Sequence, residues 1–391
     1  MMTGIQIEIQ VIAILVAVSC ALPGVFLVLR KMAMISDAIS HAILPGIVVG
    51  FLITNSISSP LLIFLAAITG VVTVAIVELI SKTNLVKEDA AIGLVFPMLF
   101  SIGVILISKN TGNMHIDTDT VLLGELAFAP FNRFVVSGID LGPTGAWVMG
   151  AILLLNLVFI AVFFKELKLS TFDVGLAASL GFMPGVLHYA LMSIVSITTV
   201  GAFDSVGAIL VVALMIAPAA TAYLITDDLK LMLIYAAIIA MFSAIAGYWM
   251  AKLMDASIAG SMAFMCGFVF LLVYLFAPVR GLLSVYNRRK RQKSEFAQMT
   301  LLIHIHNHSG ENDDIEERRA SHLKKHFLWD ELFIKKIVRQ ALSAGLLTEK
   351  QELLSLTEKG DQFIDAANAL FTSKHHPGFE ALRKEFIIFS D

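Results

Sequence analysis

The residues Ile9-Gln10-Val11-Ile12-Ala13-Ile14-Leu15-Val16-Ala17-Val18-Ser19-Cys20-Ala21-Leu22-Pro23-Gly24-Val25-Phe26-Leu27-Val28-Leu29, followed at once by Arg30-Lys31, decide the fold class. A helix crosses the hydrocarbon core of a bilayer in about 20 apolar residues, and this run has that length. It lacks the basic stretch, short apolar core and small-residue cleavage site of a signal peptide, so it reads as a first transmembrane helix and not as a removable leader. The same criterion marks further spans at roughly 38–54, 60–80, 90–107, 145–164, 185–203, 206–225, 229–251 and 258–279. About nine spans, to within one, account for a 391-residue chain that is 58% hydrophobic and only 15% charged. A mean hydropathy of +0.84 excludes an ordinary soluble globular protein. Cys20 and Cys266 lie inside apolar runs, where a free thiol behaves as a small hydrophobe.

The formal net charge of -3 averages two unlike parts, because charged residues are sparse before Arg280 and dense after it. If the spans alternate, Arg30-Lys31, Lys82 with Lys87, Lys165 with Lys168, Lys230 and Arg288-Arg289-Lys290-Arg291 fall on one side, against Lys109, Arg133 and Lys252 on the other. The positive-inside rule makes the richer side cytoplasmic, which puts the C-terminal region inside, the 108–144 connection outside and the N-terminus outside. A re-entrant segment around Leu122–Phe131 would change that count and polarity. Pro45, Pro97 and Pro218 sit inside spans, where each frees a carbonyl that neighbouring helices or a water-lined cavity must satisfy. Ordinary helix kinks are the preferred reading of all three.

The expected organisation is a membrane domain over 1–280, a basic linker over 281–294 and a soluble domain over 295–391. In the last, helices at roughly 296–308, 314–327 and 330–344 precede Gly345, a Glu349-Lys350-Gln351-Glu352 turn, the alternating Leu354-Ser355-Leu356-Thr357 and a helix from Glu358. Three helices, a hairpin and a closing helix is the order of an α+β winged helix-turn-helix. Its expected core is Leu323, Phe327, Leu332, Ile337, Leu342, Leu346, Leu354, Leu356 and Phe363. Lys335, Lys336 and Arg339 on the third helix invite a nucleic-acid reading, but basic and acidic residues nearly balance from Glu295 onward, so DNA is an unlikely partner.

Asp37-Ala38-Ile39-Ser40-His41 opens the second span with a carboxylate and an imidazole at i, i+4, on one helix face, where helical side chains can share one metal ion. Insertion of a charged side chain near the bilayer centre costs about 2.5–3.5 kcal/mol, so a pair of ionisable residues there is a functional hypothesis by default. At 1.5 Å per residue, His41 stands about 16 Å along the helix from Arg30. Spacing alone is equally compatible with Asp37 as a helix N-cap and His41 as a satisfied interior histidine.

The surrounding residues carry more. Phe26-Leu27-Val28-Leu29-Arg30-Lys31-Met32 and Ser36-Asp37-Ala38-Ile39-Ser40-His41-Ala42-Ile43-Leu44-Pro45-Gly46 closely resemble the signature of zinc, manganese and iron ABC permeases. Glu88-Asp89-Ala90-Ala91-Ile92-Gly93 with Phe96, Lys165-Glu166-Leu167-Lys168 with Phe172-Asp173 and Ala177 to Gly181, and Val206 to Leu214 with Ala217-Pro218-Ala219-Ala220-Thr221-Ala222 continue the resemblance in order. It implies that Asp37 and His41 are the metal-pathway residues. It also implies that Lys165, Glu166, Lys168, Asp173, Ala177 and Gly181 belong to a coupling helix docking on a separate ATPase subunit; its basic, amphipathic pattern ending at Gly181 and Pro184 agrees, as does an ordinary interfacial loop helix. The chain departs from the family at Asp204, which reads as a rim charge, and at His188, which reads as a buried, hydrogen-bonded histidine.

Seven of the ten histidines follow residue 300. His304, His306 and His308 form a possible weak cytosolic metal patch, although alternate spacing spreads side chains around a helix. No phosphate-binding G-x-x-x-x-G-K-[ST] occurs, so the chain is not expected to be an enzyme. The resemblance implies a permease subunit of an ATP-binding-cassette importer, multi-pass in the cytoplasmic membrane, paired with a second permease subunit and fed by an extracytoplasmic metal-binding protein. It would hold no permanent cofactor and would carry Mn²⁺, Zn²⁺ or Fe²⁺, which suit mixed oxygen and nitrogen donors. The competing readings are a membrane-anchored transcription regulator and an ion-driven secondary metal transporter.

Overall fold

The computed structural model describes residues 4–54, 60–110, 126–136, 139–309, 316–319 and 322–371. They fall into two compact units, Met1–Gly281 and Leu282–Asp391.

In the first unit, nine stretches of helix among the described residues are long and apolar enough to cross a membrane. They are α1 (Gly4–Leu29), α2 with α3 (Ala33–Ala42, Leu44–Thr54), α4 (Pro60–Ser81), α5 (Glu88–Asn110), α6 (Thr144–Val162), α9 (Pro184–Val206), α10 (Ala208–Ile225), α11 (Leu229–Met254) and α12 (Ile258–Phe276). Two short helices, α7 (Phe164–Phe172) and α8 (Val174–Ser179), join α6 to α9. The count is the expected one. The largest boundary differences are at the first two spans, each starting five residues early, at Gly4 instead of 9 and at Ala33 instead of 38; only Arg30 to Met32, with Lys31 at φ 61°, separate the second from α1.

The first apolar run becomes the centre of the unit. α1 packs against α6, α9, α10 and α11, and its Ile12, Val16, Ala17, Cys20, Ala21, Val25 and Phe26 are fully enclosed. The outer helices instead expose Leu154, Val158, Ile238, Phe242, Phe264 and Leu271. Apolar side chains on both inner and outer faces are what a lipid-solvated helix needs. Since lipid gives no hydrophobic drive for helix association, close backbone approach and internal hydrogen bonds must supply it. A Cβ on Gly24 would collide with the Met215 carbonyl, and one on Gly70 with the Ser196 hydroxyl. Buried Asn156 on α6 donates to the Ser19 carbonyl of α1 at 2.9 Å and to Thr198 Oγ1 of α9 at 3.1 Å, pinning three helices together.

Pro97 and Pro218 lie inside helices as expected, and so does Pro23. Pro45 is the second residue of α3, just after the break at Ile43, and cannot donate to the carbonyl of His41 four residues earlier. In the 108–144 connection, a 3-10 turn at Ala129–Phe131 precedes a hairpin of β1 (Arg133–Val136) and β2 (Ile139–Pro143), which the sequence reading missed. Leu126 to Phe131 form turns, and the rest of the suggested re-entrant segment, from Leu122, lies outside the described residues.

The second unit runs α13 (Leu282–Asn307), α14 (Leu323–His326), α15 (Glu331–Ser343), β3 (Leu347–Lys350), β4 (Leu353–Leu356) and α16 (Glu358–Phe371). The stretch read as a basic linker is helical from Leu282. No Gly or Pro interrupts 282–307, and Lys and Arg are good helix formers. The second expected helix, over 314–327, is a single turn within the described residues. Gly345 at φ 69° ends α15, and an antiparallel hairpin with positive φ at Gln351 and Glu352 follows. Leu323, Ile337, Leu346, Leu354 and Phe363 are buried, and Phe327, Leu342 and Leu356 pack at the margin. Leu332 is not core: it is 76% exposed.

Candidate metal pathway and coupling segment

α2 starts at Ala33 after Met32, which makes no side-chain cap. Asp37 therefore stands mid-helix, and the N-cap reading of it falls. One turn later His41 Nε2 lies 3.6 Å from Asp37 Oδ1, with both side chains about one-third exposed, at 30% and 39%. The helix starts afresh at Ala33, so His41 is about 12 Å into its span instead of 16 Å from Arg30. Ile35, Ala38, Ile39 and Ala42 on the same helix are buried, which turns the Asp37–His41 face toward the less enclosed side. Phe96 of α5 flanks the imidazole, its ring centre 5.8 Å away. The pair offers one oxygen and one nitrogen donor. Among the described residues no third His, Cys, Asp or Glu is grouped with the pair as a potential ligand.

The segment from Lys165 to Pro184 is two helices and not one. Lys165, Glu166 and Lys168 lie on α7, and Asp173 breaks the run by accepting the Leu176 N–H at 2.8 Å, which caps α8. Ala177 is buried in α8, and Gly181 turns the chain at φ 85° ahead of Pro184, the first residue of α9. Around that buried alanine, Phe172, Val174, Leu180 and Met183 are each more than half exposed. This places exposed apolar side chains beside the charged α7.

A third group, which sequence reasoning did not assemble, joins these two regions. Arg30, in the link between α1 and α2, donates to Ser170 Oγ at 2.9 Å and to Thr171 Oγ1 at 3.1 Å, both near the end of α7. Its guanidinium also lies 3.4 Å from His188 Nδ1. The other ring nitrogen of His188 faces the carboxylate of Glu78 on α4, which accepts from Tyr189 Oη at 3.0 Å and from Lys82 at 3.2 Å. His188 is thus the hydrogen-bonded histidine expected. The missed signal was Glu78, a carboxylate within an apolar span, which marks a site by default. Asp204 sits in α9, and its side chain lies outside the described residues.

On the opposite side of the pattern of charges, Arg133 of β1 pairs with Asp140 of β2 at 2.7 Å and with Glu8 of α1 at 2.8 Å, tying the hairpin to the start of the first helix. The Arg133 guanidinium, with the Gly142 N–H, holds the Asp140 carboxyl below the usual carboxylate range. In the second unit the histidines divide. His304 and His308 share a face of α13 with ring centres 4.7 Å apart, whereas His306 points elsewhere, 3.5 Å from Asp361.

Residues 4–277 match the ABC 3 transport family. The chain belongs to that family. This ABC 3 protein is 46% identical over 359 residues to the zinc transport system membrane protein TroD of Treponema pallidum, covering 92% of this chain and 98% of that one. It is 46% identical over 284 residues to the manganese transport system membrane protein MntD of Bacillus subtilis, covering 73% and 96%. The first match extends into the second unit. Among solved structures, PsaBC from Streptococcus pneumoniae in complex with Fab matches with a TM-score of 0.61 at 27% identity, over 73% of this chain and 96% of that chain. The ABC 3 chain is thus an all-α polytopic membrane protein of the transporter-permease type, carrying a small two-stranded sheet in each unit.

Proposed function

We propose that this permease is the channel-forming subunit of an ATP-driven importer for Mn²⁺ or Zn²⁺, with Asp37 and His41 receiving the travelling ion. The observation that carries the reading is the pair itself: a carboxylate and an imidazole 3.6 Å apart on one face of a span. Two ABC 3 relatives of equal identity are named for different metals, zinc and manganese, which fits a donor set common to both ions and to Fe²⁺. Two donors do not fill a coordination shell. A second permease subunit contributing its own pair raises the number to four, enough to admit the ion and breakable when the helices rock.

ATP hydrolysis belongs to a separate subunit, which docks on 165–184; the exposed apolar knob around Ala177 supports that surface. The positive-inside rule puts this segment, and with it the C-terminal unit, in the cytoplasm. The opposite side, with the Arg133 hairpin, is where an extracytoplasmic metal-binding protein delivers its ion. The element order of the C-terminal unit supports a winged-helix domain over 295–391 with a regulatory or protein-docking role. Lys335 is ion-paired with Glu331 at 2.9 Å, which weakens a DNA reading further.

The test is uptake of labelled Mn²⁺ and Zn²⁺ into proteoliposomes holding the permease and its ATPase subunit. Asp37→Ser and His41→Ala should each lose at least nine-tenths of uptake while the complex still assembles. Near-normal uptake by both variants removes the site. Uptake that needs no ATPase subunit makes the chain an ion-driven transporter instead.

A further inference from the structure

The second unit holds a cluster of metal-ligand side chains that the transport reading does not use. His304 projects from the last turn of α13 and His308 from the residue just past its end, Glu317 follows within 316–319, and His326 ends α14. One ligand atom from each of His304, His308 and Glu317 lies within 4.8 Å of the others, and all three side chains are half-buried. The His326 ring centre is 5.3 Å from that of His304, and its Nε2 is 2.5 Å from Glu317 Oε2.

The surroundings are those of a ligand set and not of a solvated helix end. The His304 Nε2 lies 3.3 Å from the Glu317 carbonyl, a bond that orients the ring and leaves Nδ1 as the lone pair to offer an ion. Phe327 stands edge-on to His304 with ring centres 5.2 Å apart and stacks on Trp329 at 4.3 Å, giving the cluster an apolar wall.

We propose that His304, His308 and Glu317, completed by His326, form a second divalent transition-metal site. Three imidazoles and a carboxylate suit Zn²⁺ and its neighbours, whereas Ca²⁺ and Mg²⁺ require mostly oxygen donors. In a tetrahedral zinc site, ligands at about 2.1 Å from the ion are about 3.4 Å from one another. The three atoms within 4.8 Å therefore need only small side-chain rotations to close on an ion. His306 takes no part, since it lies across the helix beside Asp361. The site is independent of the Asp37–His41 pair.

The experiment is titration of the purified full-length protein with Co²⁺ and competition by Zn²⁺, read by the visible bands of tetrahedral cobalt. The wild-type protein and the Asp37→Ala and His306→Gln variants should each show one equivalent with these bands. His304→Gln with His308→Gln should lose it, with affinity lowered at least 100-fold, while circular dichroism and melting remain those of the folded protein. Retention of the equivalent in that folded double variant overturns the proposal, as does its loss in Asp37→Ala. If the double variant does not fold, Glu317→Gln, a change to one loop side chain, decides: an undiminished affinity overturns the site, and a loss of tenfold or more supports it.

Discussion

Replacing Arg30 by Met asks whether the proposed coupling segment and the helix of the Asp37–His41 pair move together. The guanidinium donates to Ser170 and Thr171 at 2.9 and 3.1 Å, and the helix carrying Asp37 and His41 starts three residues later. Hydrogen bonds to a charged group contribute about 1.5–3 kcal/mol each in a buried setting. Here the setting is part-buried, and Ser170 keeps a bond to the Leu167 carbonyl at 3.3 Å. The two bonds together are then worth about 2 kcal/mol, or roughly 30-fold in the equilibrium between a docked and a released coupling segment. In proteoliposomes with the ATPase subunit, Arg30→Met should keep most ATP hydrolysis but lower metal uptake per ATP about tenfold or more. Arg30→Lys, which keeps the charge but not the fork of donors, should fall between. Ser170→Ala with Thr171→Val should reproduce the deficit and add little to Arg30→Met, because both remove the same contacts. Uptake per ATP within twofold of wild type in an assembled Arg30→Met complex refutes the reasoning.

Ala177→Pro should uncouple hydrolysis from transport without preventing membrane insertion: proline in a helix interior costs about 3 kcal/mol, and the Ala177 N–H is bonded to the Asp173 carbonyl at 3.1 Å. Wild-type stimulation of the ATPase by that variant would move the docking surface elsewhere. The Asp140 carboxyl is held low in the folded protein by Arg133, so its contribution is complete above the ordinary aspartate pKa of about 3.9 and is lost as pH falls through the depressed folded value. Thermal melting should accordingly lose less between neutral and strongly acid pH in Asp140→Asn than in wild type; equal losses would show that the hairpin tether does not contribute.

The membrane class and the number of spans are written in the chain itself, because a bilayer demands apolar runs of fixed length whatever surrounds them. The Asp37–His41 juxtaposition was equally legible, since i, i+4 spacing on a helix is a local matter and needs no partner. Tertiary structure decided what depends on contacts across the chain. Nothing in the local sequence shows that Arg30, Glu78, Ser170, Thr171 and His188 meet, as they lie on segments up to 158 residues apart. The hairpin at 133–143 escaped because its strands are of four and five residues, too short to display alternation. The tail histidines show both halves of the lesson. Helical period separates His306 from His304 and His308 by itself, but Glu317 and His326 join them only through the tertiary fold, in which Leu302, Ile305 and Leu323 share one core.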